Sequence, residues 1–116
     1  MRISGWVAGA TLAALVAGPA AAKDRVGYQA ISAGSLAQAE QTIDAERAIF
    51  PTRPELMLNL AAVYARTGRV TQARSLYGQV LDQESVAMDL ADGSVQSSHA
   101  LAQRGLSRLG STIASR

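Results

Sequence analysis

Residues 55–81 read ELMLNLAAVYARTGRVTQARSLYGQVL, two amphipathic runs separated by three residues. In 55–66, Leu56, Leu60, Val63 and Tyr64 return at the spacing of one helix face. Pro54 precedes this run, at a position where a missing backbone N–H does no harm to a helix. In 70–81, Val70, Ala73, Tyr77, Val80 and Leu81 form a second apolar face. Only Thr67-Gly68-Arg69 lies between them. Gly68 suits the left-handed residue that follows a helix end, and so short a connection folds the second helix back against the first. The stretch therefore predicts a helical hairpin.

Upstream, residues 35–50 (SLAQAEQTIDAERAIF) place Leu36, Ala39, Ile43 and Phe50 on one side and Gln38, Glu40, Gln41 and Asp44 on the other. Ser35 is positioned to cap the first turn, and Pro51 stops the helix. This helix and the 70–81 helix are related by an offset of 34 residues. Gly34 falls on Gly68, Leu36 on Val70, Gln38 on Gln72, Ala39 on Ala73 and Ile43 on Tyr77. Earlier still, Val26-Gly27 falls on Leu60-Ala61 and Ala30 on Tyr64. Small residues recur where helices must approach closely, and large ones where they interlock.

Met57-x2-Leu60-Ala61-x2-Tyr64, then Gly68, Ala73-x3-Tyr77 and Val80, resembles a tetratricopeptide repeat of the small exported bacterial kind. Residues 54–87 carry the fuller match, with Ser85 where the family usually has Pro. The preceding unit matches through Gly34, Ala39, Ile43 and Pro51, and its first helix is short, about 24–33. The resemblance implies an all-α fold of about two helical hairpins. Its repeat core would be Ala39, Ile43, Leu60, Tyr64, Ala73 and Tyr77. It also implies that the first helix of each hairpin lines a concave groove for a peptide or protein. Carried over position by position, that groove is lined by Tyr28, Glu55, Leu58, Asn59, Ala62 and Arg66, with Asp24, Arg25, Ile31, Ser32 and Ala65 beside them. An Asn at position 59 can donate to and accept from a peptide backbone. The clamp for an acidic chain end found in some members is incomplete, because Asp24 and Tyr28 stand where Lys and Asn would be. The packing alternative is that Leu58, Ala62 and Ala65 simply rest against the first or last helix.

Residues 1–22 read as an address. Arg2 supplies a positive start, Ile3 to Ala22 carries no charge, Gly18-Pro19 breaks the apolar stretch, and Ala20-Ala21-Ala22 offers a cleavage site. A cut after Ala22 predicts a periplasmic or secreted protein. An uncleaved anchor is the rival reading, but Ala and Gly dominate the stretch, so no stable membrane span is expected after processing. Removing 1–22 takes away Arg2 and leaves 10 basic against 9 acidic residues.

From residue 86 the repeat pattern stops. Val86, Met88 and Leu90 alternate with Ala87, Asp89 and Ala91 before Asp92-Gly93. That is the signature of a short hairpin; an irregular loop serves equally well. Ser97 or Ser98 then caps a last helix, 99–109, whose Leu101, Leu106 and Leu109 would cover the open end of the stack. The expected organisation is a signal peptide at 1–22, a helical domain at 23–109 and a flexible tail at 110–116.

Composition limits the function classes. The 116 residues hold no Cys and one His, so thiolate chemistry, disulfides and Cys- or multi-His metal sites are excluded. Eleven basic residues against nine acidic ones, scattered along the chain, do not make a nucleic-acid surface. His99 beside Ser97-Ser98 reads as a helix start, with no acid placed to complete a triad. Asp89 and Asp92 read as turn formers. The sequence thus predicts a non-enzymatic scaffold of the cell envelope that needs no cofactor or metal and binds a protein or peptide on its concave face. The alternative is a structural subunit, such as a homodimer, that self-associates through its open repeat end.

Overall fold

The computed structural model of the chain describes residues 15–17 and 27–114. Within them five helices and one two-stranded sheet follow in order: α1 (Tyr28–Ser32), α2 (Leu36–Ile49), α3 (Pro54–Arg66), α4 (Val70–Asp82), β1 (Ala87–Asp89), β2 (Val95–Ser97) and α5 (Ser98–Ala114). Asp24, Arg25 and most of the expected leader lie outside the described residues.

The 34-residue rhythm is written in the backbone. After α3, the Arg69 N–H donates to the Tyr64 carbonyl at 2.8 Å and the Gly68 N–H to Ala65 at 3.4 Å. After α1, Ser35 donates to Ala30 at 2.8 Å and Gly34 to Ile31 at 3.0 Å. Each residue of the second set stands 34 positions from its counterpart in the first. Gly34 and Gly68 take φ of 82° and 81°, a left-handed turn that glycine enters without a Cβ penalty. Ser35 makes no side-chain cap bond to α2, contrary to the reading from sequence. Its backbone already closes this turn, which reorients the residue. Pro54 occupies the first turn of α3, and Pro51 lies just past the end of α2, as their chemistry requires.

α3 is the axis of the molecule. Leu56 through Val63 are all buried, an eight-residue run with no solvent face. α2, α4 and α5 pack around it. Ala39 and Ala73, at equivalent positions of α2 and α4, are both 0% exposed. Ile43, Leu60 and Tyr77 are buried with them, while Tyr64 is half-buried at the rim. Small residues admit large ones at these contacts. A Cβ on Gly27 would lie 2.8 Å from Ile43 Cδ1, and one on Gly105 would overlap the Tyr77 ring.

Residues 87–97 form the hairpin, with Ala87 opposite Ser97, Met88 opposite Gln96 and Asp89 opposite Val95. Asp92 Oδ1 accepts from the Ser94 N–H at 2.9 Å and from its hydroxyl at 2.6 Å, fixing the turn. Ser97 caps α5, its Oγ accepting from the Ala100 N–H at 3.0 Å. Ser98 is inside the fold instead: its Oγ accepts from the Val86 N–H at 3.0 Å and its own N–H donates to the Val86 carbonyl at 2.7 Å. α5 covers the side of the second hairpin that the sequence leaves open, and it continues past Leu109 to Ala114, into the segment read from sequence as a tail.

Candidate functional site

The α3 positions expected to line a groove share one helical face. Glu55, Asn59, Ala62 and Arg66 recur every three or four residues and so share one stripe, with Leu58 at its border. Leu58, Asn59 and Ala62 are buried, Glu55 is half-buried and Arg66 is exposed. Tyr28, at the start of α1, is half-buried against the core.

What covers the middle of this stripe is Leu15-Val16-Ala17, from within the apolar stretch read as a leader. The tripeptide is extended, and its backbone is bonded along both edges. On one edge the Ala17 N–H donates to the Asp89 carbonyl at 3.1 Å, and the Ala91 N–H donates to the Leu15 carbonyl at 3.3 Å. This makes Val16 and Leu90 an antiparallel pair facing each other without bonds between themselves. On the other edge the Asn59 side chain takes the place of a neighbouring strand. Its Oδ1 accepts from the Val16 N–H at 3.0 Å, and its Nδ2 donates to the Val16 carbonyl at 2.8 Å. Asn59 is 1% exposed, and Leu15, Val16 and Ala17 are buried alongside it. A buried primary amide needs partners for donor and acceptor alike, and a single residue of extended backbone supplies both.

Among the sequence-derived candidates, the structure therefore brings Asn59 into contact with a peptide backbone, with Leu58 and Ala62 buried nearby on the same helix. Arg66 acts elsewhere: its Nη1 donates to the Ile31 carbonyl at 3.4 Å, joining the end of α3 to α1. Glu55 borders a separate open depression of about 610 Å³ beside Ile49, Phe50 and Val86. Two features were not singled out in the sequence: the tripeptide 15–17 and the backbone of 89–91 that pairs with it. The Asp92-Gly93 turn signalled a hairpin there, but pairing between positions 16 and 90 leaves no local mark.

The charged and titratable groups that follow make their bonds away from Val16. Arg69 joins the hairpins, donating from Nη1 and Nη2 to Glu40 Oε2 and Oε1 at 3.0 and 2.5 Å, and its guanidinium lies 4.6 Å from the Tyr64 ring centre. The hydrogen bond from Arg69 holds the Glu40 carboxyl below its ordinary range, and burial pushes the Tyr64 phenol up. His99 Nε2 donates to the Gln83 carbonyl at 2.7 Å, tying the start of α5 to the end of α4. Among the described residues no group of three or more His, Cys, Asp or Glu is placed to hold a metal ion. No helix among them is long and apolar enough to cross a membrane.

No curated protein and no solved structure matches the chain. A family model described as tetratricopeptide repeat matches residues 30–87. That span is half the chain and holds both hairpin turns, the small residues Ala39 and Ala73, and Asn59. With the 34-residue repetition of backbone bonds, it establishes that the chain belongs to the tetratricopeptide repeat family.

Proposed function

We propose that the protein is a non-enzymatic interaction scaffold of the cell envelope, which binds a protein or peptide on the inner face of α3. Proteins of this repeat type generally act as protein–protein interaction scaffolds and typically carry no catalysis. The observation that carries the finer reading is the Asn59 amide holding an extended backbone by two hydrogen bonds within a buried, uncharged seat. Such a seat recognises main chain and shape. The address rests on the leader-like composition of 1–22, and the processed protein is proposed to be periplasmic or secreted. The self-associating alternative has less support, because α5 already covers the free side of the second hairpin.

Alanine substitution of Tyr28 and Asn59 together, followed by crosslinking and pull-down from envelope extract, tests the binding face. The expected result is loss of partners captured by the wild-type chain; an unchanged set of partners removes this face from consideration. The mass of the protein recovered from the envelope fraction tests the address, with a form beginning at Lys23 as the expected species.

A further inference from the structure

We infer that the seat between Asn59 and residues 89–91 is a strand-acceptor site, that Leu15-Val16-Ala17 is its occupant in cis, and that its occupant in trans is an extended apolar segment of a partner protein. The inference rests on the scaffold reading above and specifies its mode of binding.

The geometry selects the chemistry of the ligand. Four backbone groups of the tripeptide are bonded: the Leu15 carbonyl, the Val16 N–H and carbonyl, and the Ala17 N–H. They point to opposite edges, as only extended chain presents them. A helix satisfies its own N–H and C=O groups and has none to offer at this spacing. Adding a strand to an exposed backbone edge is a general mode of peptide capture in which main-chain bonds supply affinity and side-chain seats supply specificity. Here all three side chains are buried, with Val16 1% exposed opposite Leu90 and Ala17 3% exposed. The site therefore takes an uncharged residue of medium size at the first position, a β-branched one at the second and a small one at the third. A charged residue at any of them would be buried without a partner and is excluded on that ground.

The cis segment also regulates the site. A tethered ligand works at an effective concentration near the millimolar range, so a partner of equal affinity present at micromolar concentration is outcompeted while residues 15–17 remain attached. Cleavage after Ala22 removes the tether. The same cut that releases the protein from its leader would thus open the site.

The test uses the full chain. Val16→Pro removes the N–H that donates to Asn59 Oδ1 and so ejects the cis segment. The probe is a fluorescent peptide of residues 12–20, LAALVAGPA, carrying added lysines for solubility. By fluorescence anisotropy the V16P chain is expected to bind this probe at least tenfold more tightly than the wild-type chain. Adding Asn59→Ala to V16P, or N-methylating the probe at Val16, should each weaken binding at least tenfold. Equal binding by the V16P and wild-type chains, or indifference to N-methylation, overturns the proposal. Hydrogen exchange on the wild-type chain keeps the test decisive should V16P lose its helical circular dichroism. The Val16 and Ala17 amides are expected to be protected, and the Val16 amide to lose protection in N59A. Exchange of both at the rate of unstructured chain overturns the cis assignment, as does a dimer by light scattering in which the segment is exchanged between copies. Failure here leaves a partner bound elsewhere on the scaffold untouched; that broader reading falls only if the pull-down above captures nothing.

Discussion

Asn59 does at one position what a neighbouring strand does along its length, which makes its replacement informative. Asn59→Ala strips the Val16 N–H and carbonyl of their partners inside the fold. Leaving a buried polar group unpaired costs roughly 1–3 kcal/mol, so urea denaturation of the full chain should show a loss of that order or more. Asn59→Asp converts the seat into a proton-dependent one. The protonated acid can donate to the Val16 carbonyl and accept from its N–H, whereas the carboxylate has no proton to donate. Burial raises the folded pKa of this Asp above its unfolded value. The variant's stability should therefore be greatest in acid and fall as pH rises through the folded pKa. A second residue-scale prediction concerns Tyr77, whose phenol is pushed up to about 12 by burial against α5. The unfolded chain loses this proton near pH 10 while the folded chain keeps it, so stability is fully present below pH 10 and declines between about 10 and 12. Two pH units correspond to a loss of up to about 3 kcal/mol. Tyr77→Phe keeps the ring and removes the proton, and its denaturation midpoint should lack that share of the decline.

At the scale of elements, the helices were legible because their signals are local. Apolar spacing, Pro51, Pro54 and Gly68 set α2, α3 and α4 to within a residue or two of their observed ends. Ser35 and α5 show where local reading stops. Ser35 has the side chain of a cap, but the Schellman-type bonds after α1 already fix its backbone. Gly110 looked like the start of a frayed tail, yet α5 continues through it because the earlier turns are anchored on α3 and α4. The two glycines of α5 predict opposite outcomes. A Cβ at Gly105 would overlap the Tyr77 ring, so Gly105→Ala should cost roughly 1–3 kcal/mol through forced repacking. A Cβ at Gly110 meets nothing within 4 Å, and Gly110→Ala should stabilise by about 0.5–1 kcal/mol through helix propensity alone. Thermal melts of the two variants should therefore move to opposite sides of the wild type. A rise for G105A would mean that the α4–α5 contact is looser than the glycine implies.

The molecule as a whole joins two sequence signals that point in different directions. Residues 1–22 carry the composition of an export leader, while Leu15, Val16 and Ala17 within them belong to the buried core. The leader reading hid the seat, because an apolar run beside Gly-Pro explains itself locally and its partner at position 90 is 74 residues away. If export removes the segment, the fold loses the burial of one Leu and one Val, each contributing roughly 1.5–3 kcal/mol. It also loses both hydrogen bonds between Asn59 and Val16. Against the 5–15 kcal/mol that usually holds a domain together, this is a large share. At roughly 4–8 °C per kcal/mol for a domain of this size, the cleaved form should melt more than 10 °C below the full chain. Adding the peptide of residues 12–20 should restore much of the difference in proportion to the logarithm of its concentration, because a ligand that binds only the folded state stabilises by mass action. A cleaved form that melts with the full chain, and does not respond to the peptide, would mean that the second hairpin and α5 close over Asn59 on their own.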